Sequence, residues 1–385
     1  MEIGRRKYFD DLDALRSIAF LAIFMHHGFF TTEPSVVASF AFKAVDVVTK
    51  PAWLGVPFFF SLSGFLITYL LLTEQQHLGR ISVGKFYARR ILRIWPLYYA
   101  VVCFGFFIFP LLRGLILHDP YVENATLWKY LVFLGNFDMI EKGLPYGAGL
   151  GVTWSLSVEE QFYLVWPILF ILVPVILRVA FVVLLFALSQ ILMQVWDLPY
   201  THTLGSMSDL AMGALLAILS FGEKPLFKKF TELPGSVIAG VYVLGIAHLY
   251  SWTLYDIGNR VFVSFFMAFV LFDQCFCRNS PLKLRRFKLL GYWGRLTYGL
   301  YLLHTIGNFI VSNAIKPFRA QIDHPLLIDM GIQPVASLLL TMGMAYVSYS
   351  YYEKPFLKLK SRFATTGIAR SGNATTSAGR PPIYP

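Results

Sequence analysis

Arg16 and His27 stand near the two ends of one apolar stretch, residues 14–30, ALRSIAFLAIFMHHGFF, with ten residues between them. Eleven helical steps of about 100° return to within about 20° of whole turns, so a helix carries both side chains on one face. Along the axis they are about 16 Å apart, roughly half the hydrocarbon thickness of a bilayer. A guanidinium at one membrane edge and an imidazole well inside would then share a stripe. Asp13, three residues before Arg16, is spaced to pair with it. Ionisable groups in a span are costly and tend to face a bundle interior or a cavity, where they do chemistry; the plainer reading of a single His is a hydrogen bond to a neighbouring helix. His26 is rotated about 100° from His27, so only one of the two can face the same cavity.

Three further constellations carry polar groups into apolar surroundings. Arg90 and Arg93, in FYARRILRIWP, lie one turn apart and make a fork for phosphate or carboxylate, or else a topology signal of ordinary kind. In TWSLSVEEQFYLVWP, Ser155, Glu159 and Tyr163 step by four along one face, with Glu160 rotated about 100° from them. A carboxylate there could orient a histidine or bind a polyol, or the run could be the interfacial end of a span. His304, in LTYGLYLLH, is a second intramembrane His at a depth similar to His27, either lining a ligand cavity or packing. No His, Cys, Asp and Glu cluster has zinc spacing, so no metal is expected, and no Gly-rich phosphate loop occurs.

The elements that must position these groups follow from composition. Hydrophobic residues make up 56% of the 385 and charged residues 14%, against about a quarter charged in soluble proteins. The mean hydropathy is +0.59. The expected fold is an all-α polytopic membrane bundle of about ten transmembrane helices, near residues 14–30, 54–72, 91–112, 153–174, 179–196, 204–221, 235–252, 258–277, 292–314 and 330–352. The stretch 127–140 is too short to span and reads as re-entrant or interfacial. With the N-terminus inside, 25 of the 33 Lys and Arg fall on the inner side and 8 on the outer, which favours both termini in the cytoplasm. The net charge of +11 is therefore a membrane-topology signal, and no nucleic-acid partner is expected. No cleavable signal peptide is expected, so the first span stays as an anchor. Cys103, Cys275 and Cys277 read as packing residues. Residues 1–362 form the membrane domain, and the small, polar stretch 363–385 is expected to be a disordered cytoplasmic tail.

Taken in order, these segments resemble the acyltransferase family 3 membrane proteins, over nearly all of residues 8–360. LDALRSIA at 12–19 with His27 resembles the opening helix of that family, and VPFFFSLSGFLI at 56–67 its second span. Arg90 and Arg93 match its Arg-x-x-Arg pair, and WSLSVEEQFY at 154–163 is its most recognisable run. LGYWGRLTYGLYLLH at 290–304 and YEKPF at 352–356 match its closing segments. Position 26 departs in being a second His, and Thr305-Ile-Gly follows His304 where an aromatic-Pro pair is common. Some members carry an extra extracellular hydrolase-like domain, for which this chain is expected to be too short.

The resemblance implies O-acylation, most often acetylation, of a cell-surface carbohydrate in the bacterial inner (plasma) membrane. The donor would be a cytoplasmic acyl-CoA, and the acceptor a carbohydrate or lipid-linked glycan amid membrane lipids. Arg16, Arg90 and Arg93 would bind the donor, His27 and Glu159 would be catalytic, and Ser155, Tyr163 and His304 would bind substrate. Transfer directly from the thioester and transfer through a covalent acyl-enzyme are both open. A different class, the proton-coupled exporter, also uses intramembrane His and Glu, but repeat symmetry and matched broken helices are missing from the sequence. A third is a sensor or scaffold on the same fold.

Overall fold

In hydrocarbon a backbone must satisfy its own N–H and C=O groups, so a chain of this composition has to be helical within the bilayer. The computed structural model describes residues 9–29, 31–116, 118–222, 225–251, 257–319 and 324–363, and among them there is no strand. The expected tail lies outside the described residues apart from Phe363. Among the described residues, ten helices of fifteen residues or more overlap the expected spans: α1 (Asp10–Gly28), α2 (Gly55–Leu78), α3 (Val83–Cys103), α4 (Thr153–Leu172), α5 (Arg178–Val195), α6 (Thr203–Ser220), α7 (Gly235–Ser251), α8 (Ile257–Phe276), α9 (Thr297–Arg319) and α10 (Gln333–Val347).

By length and composition seven helical segments among the described residues are apolar enough to cross a membrane. An eighth is reached if the short helix Pro225–Thr231 and the segment Gly235–Tyr250, bent by 78°, count as one. Against the expected ten spans, seven or eight pass by length and composition, and α1 and α9 are not in that set. These two helices carry Arg16, His27 and His304, and their polar content is what lowers their hydropathy. The stretch 127–140 is broken into two short helices, Leu127–Leu131 and Gly135–Lys142, at Phe133, whose φ is 58°.

Three contacts set the arrangement around the polar centre. The α2–α6 pair packs backbone to backbone. A Cβ on Gly64 would fall 2.0 Å from the Leu210 carbonyl oxygen, and one on Gly213 would fall 1.8 Å from that of Ser61. Small residues let helices approach this closely where lipid supplies no hydrophobic drive. The second contact is α1 against the helix Lys288–Arg295, where Ser17 donates to the Leu290 carbonyl at 2.6 Å. The third is made by α9, which packs along α10 and α1.

Prolines within α3 and α4 loosen the helical ladder, because each lacks an N–H and its ring crowds the preceding turn. Tyrosines from other helices answer nearby carbonyls. Tyr298 donates to Ile94 O and Tyr352 to Pro96 O beside Pro96, and Tyr87 donates to Leu164 O beside Pro167. Pro96 therefore ties α3 to α9, and Tyr298 becomes part of the wall described below.

Replacing Gly213 with Leu should separate α2 from α6 and cost about 1–3 kcal/mol through overpacking. A thermal unfolding midpoint in detergent equal to that of the parent protein would contradict the backbone contact.

Candidate active site

The helices α1, α2, α3, α4 and α9 enclose a cavity of about 140 Å³. Arg16 reaches it from α1, Arg90 and Arg93 from α3, and Ser155, Glu159, Glu160 and Tyr163 from α4. Six expected site residues therefore meet in one place. The i, i+3 spacing of the arginines and the i, i+4 spacing of Ser155, Glu159 and Tyr163 are what deliver each set to the same wall.

The charges are arranged to offset one another. Arg16 Nη1 donates to Asp13 Oδ1 at 2.5 Å, as the spacing predicts. Glu159 accepts from Ser63 Oγ at 2.7 Å on one oxygen, and the Tyr163 hydroxyl lies 3.0 Å from the other. Arg16, Arg90 and Arg93 line the same cavity as Glu159. The Arg90 guanidinium also lies over the Phe86 and Tyr163 rings, at 5.7 and 5.8 Å. Arg93 lines the cavity and forms no ion pair among the described residues.

Glu160 differs from the expectation. It also lines the cavity, accepting from Trp95 Nε1 at 2.9 Å, and its Oε1 is buried with no partner. A 100° step does not remove it from the site because the cavity wraps around α4 towards α3. Gln161, by contrast, is structural. It donates to the Phe133 carbonyl at 2.7 Å and to Asn136 Oδ1 at 2.9 Å, and accepts from Thr203 Oγ1, so it staples the 127–142 segment to α4 and α6.

The two histidines are brought together but not into the cavity. His27 lies in the last turn of α1, which ends at Gly28, and is exposed at the surface of the chain. Only Arg16 of the α1 stripe reaches the cavity. His304 is fully buried, with its ring 5.2 Å from that of His27 and 5.9 Å from that of Tyr301. Tyr301 lines the cavity at this end and shares a 2.6 Å hydrogen bond with Ser155. It therefore forms the wall between the cavity and the histidine pair.

Sequence reasoning missed Ser63, Tyr298 and Tyr301 as cavity residues. Tyr298 and Tyr301 lie in the LTYGLYLLH run, and Ser63 in the second-span run, but hydroxyls in such runs carry no periodic signal of their own. It also missed Asp209, fully buried in α6, which accepts from Tyr200 at 2.7 Å and Ser264 at 2.6 Å and lies 3.8 Å from Arg260. That carboxylate has its partners and reads as a lock between α6 and α8. Among the described residues no group of three His, Cys, Asp or Glu is placed to hold a metal ion.

A bundle of apolar helices around a cavity of guanidiniums and carboxylates defines an integral membrane protein with a polar site between its helices. The chain belongs to acyltransferase family 3: the family model described as an acyltransferase domain matches residues 9–353. It is 29% identical over 331 residues to the peptidoglycan O-acetyltransferase OatA of Listeria monocytogenes, covering 78% of this chain and 49% of that protein. The putative peptidoglycan O-acetyltransferase YrhL of Bacillus subtilis is 25% identical, over 91% of this chain and 55% of its own. The O-acetyltransferase OatA of Staphylococcus aureus strain MRSA252 is 24% identical, over 94% of this chain and 61% of its own. The chain thus spans about half to three-fifths of the length of these bacterial relatives. No solved structure gives a significant match.

Glu159→Gln replaces the carboxylate that accepts from the Ser63 and Tyr163 hydroxyls, and should destabilise the protein by about 1–3 kcal/mol. Glu160→Gln should cost much less, since one of its oxygens has no partner to lose. Thermal unfolding of the two variants in detergent measures this, and the opposite order would show that the charge balance rests on Glu160.

Proposed function

We propose that this protein transfers an acyl group, most simply acetyl, from acyl-CoA on the cytoplasmic side to a hydroxyl of a cell-surface carbohydrate on the other. The observation that carries this reading is the cavity in which Arg16, Arg90 and Arg93 converge with Glu159 between helices of an acyltransferase-family chain. The names of the relatives support an amino-sugar polymer of the peptidoglycan type as acceptor.

Size decides how the donor sits. A volume of about 140 Å³ resembles that of cavities holding one small ring and is well below a site for a drug-sized molecule. It accommodates the acyl end and part of the thiol arm, and leaves the nucleotide at the inner mouth. The guanidiniums then surround the polar atoms of the arm and attract the phosphates behind it. The acyl end points towards Ser155 and Tyr301, and the acceptor approaches past His27, so the Tyr301 wall has to part for the two to meet.

A sugar hydroxyl is far too weak an acid to attack unaided at neutral pH, so a base must take its proton in the transition state. His27, exposed at the acceptor end, takes that part. The hydroxyl oxygen bonds to the acyl carbon, the carbon–sulfur bond breaks with its electron pair leaving on sulfur, and the proton held by His27 passes to the thiolate. Glu159 sets the field in which the cationic fork is held.

Purified protein in lipid nanodiscs, given radiolabelled acetyl-CoA and a soluble muropeptide disaccharide, should yield labelled disaccharide and free thiol in equal amounts. Thiol release without labelled sugar, or neither product, would reject the reading. His27→Ala should reduce transfer by about a hundredfold or more, in the range removed with a general base. His26→Ala should be mild, and a live His27→Ala beside a dead His26→Ala would reverse the assignment.

Arg90→Ala and Arg93→Ala should each weaken acetyl-CoA binding at least tenfold and flatten its salt dependence. Lys should restore it only in part, because a point charge does not reproduce a planar fork. Unchanged affinity in both Ala variants would reduce the pair to a topology signal.

A further inference from the structure

The cavity has two unlike ends. Contacts between α2 and α4 set the register along it: the Phe60 and Trp154 rings lie 5.9 Å apart, and Ser63 donates to Glu159 at 2.7 Å. The Arg90 guanidinium lies over the Tyr163 ring, one turn further along α4 than Glu159, so the cationic end is at that level. One turn back from Glu159, at Ser155 and Leu156, the lining changes. Val56 and Phe59 from α2 and Tyr301 from α9 line the cavity there. The hydroxyls of Ser155 and Tyr301 are bonded to each other at 2.6 Å, and that of Tyr301 also lies 3.2 Å from the Val152 carbonyl. Phe59 meets the Tyr301 ring edge to face, with centroids 6.1 Å apart and planes at 68°. A closed apolar end opposite a cationic end suits an uncharged group at the tip of an anionic molecule.

We propose that Phe59 is the stop that sets the length of the transferred acyl group, so that the site takes acetyl and turns away longer chains such as butyryl. This rests on the acyl-transfer reading above and adds to it which acyl group is chosen, and by which side chain. With the donor's phosphates drawn to the guanidiniums, the acyl group points along the cavity and its methyl meets Phe59. A stop has to be rigid, and α2 is the helix that is held fast. Phe59 lies two residues before Ser61, whose carbonyl oxygen stands 1.8 Å from where a Cβ on Gly213 would fall, and Gly64 makes the second such approach to α6. Tyr301 is held at its hydroxyl by hydrogen bonds, so it can part for the acceptor while Phe59 keeps its place. A volume of about 140 Å³, shared between the acyl group and part of the arm, leaves no slack for added methylenes. One methylene in a fitted apolar pocket changes selection by about 10–200-fold.

The test uses the full chain in nanodiscs, with acetyl-CoA and butyryl-CoA as donors and the muropeptide disaccharide as acceptor. The readout is the ratio of kcat/KM for the two donors, which a general loss of folded protein does not move. The parent protein should prefer acetyl by about a hundredfold or more. Phe59→Ala should lower that preference at least tenfold, and Phe59→Leu by a smaller factor in the same direction. Ile67→Ala removes apolar lining one turn beyond Ser63, towards the cationic end, and should leave the ratio within about threefold. Thioether analogues of both donors, which bind but cannot transfer, are titrated in parallel. Transfer of both groups with a ratio that Phe59→Ala does not move, or that Ile67→Ala moves as far, overturns the stop and leaves the acyl-transfer reading standing. A length preference in analogue binding that Phe59→Ala relaxes, in a protein that transfers neither group, upholds the stop and rejects the transfer reading instead. Binding of neither analogue overturns both.

Discussion

Everything in this molecule is arranged around the expense of holding charge away from water. An isolated ion in hydrocarbon is prohibitively unstable, and a pair is tolerable only with good geometry and satisfied hydrogen bonds. Arg16 is matched by Asp13 one turn away on its own helix, and Glu159 collects hydroxyls from Ser63 and Tyr163 in the cavity that Arg90 also lines. These partners come from four helices, so the charge balance exists only when α1, α2, α3 and α4 are correctly rotated. The apolar surface that surrounds them supplies little discrimination between rotations, because lipid competes for it. The polar centre is what selects the rotation.

The same economy explains features that would otherwise look like defects. Pro96 and Pro167 weaken the ladders of α3 and α4, and Tyr298, Tyr352 and Tyr87 supply hydroxyls from other parts of the chain to carbonyls around them. The break at Phe133 is held by Gln161, which also bonds Asn136 and Thr203. In water such groups would be answered by solvent. Within a bundle each irregularity becomes a tie between helices, and the one from Tyr298 to Ile94 borders the cavity.

The site has two centres and one wall. Guanidiniums and carboxylates gather towards the N-terminal end of α1, histidines gather at its C-terminal end, and Tyr301 stands between. The proposed transfer, from a charged donor on one side of the membrane to a neutral sugar on the other, would call for such an asymmetry: cations for phosphates, and a base for a hydroxyl.

The all-helical membrane bundle, the Asp13–Arg16 pair, the shared wall of Arg90 with Arg93 and that of Ser155, Glu159 and Tyr163 were all legible from the chain, because hydrophobic runs and i, i+3 or i, i+4 spacing are local quantities. The contact of His27 with His304 was not. It depends on how α1 packs against α9, which spacing within either helix does not encode. Glu160 defeated a one-face argument because a cavity between helices wraps around α4 and is not a stripe along it. Ser63 and Tyr301 had no periodic mark at all. Each acquires meaning only from an atom more than ninety residues away in the chain: Glu159 for Ser63, and Ser155 for Tyr301. Spacing along a helix fixes which side chains travel together, and only the packing of helices against one another decides what they meet.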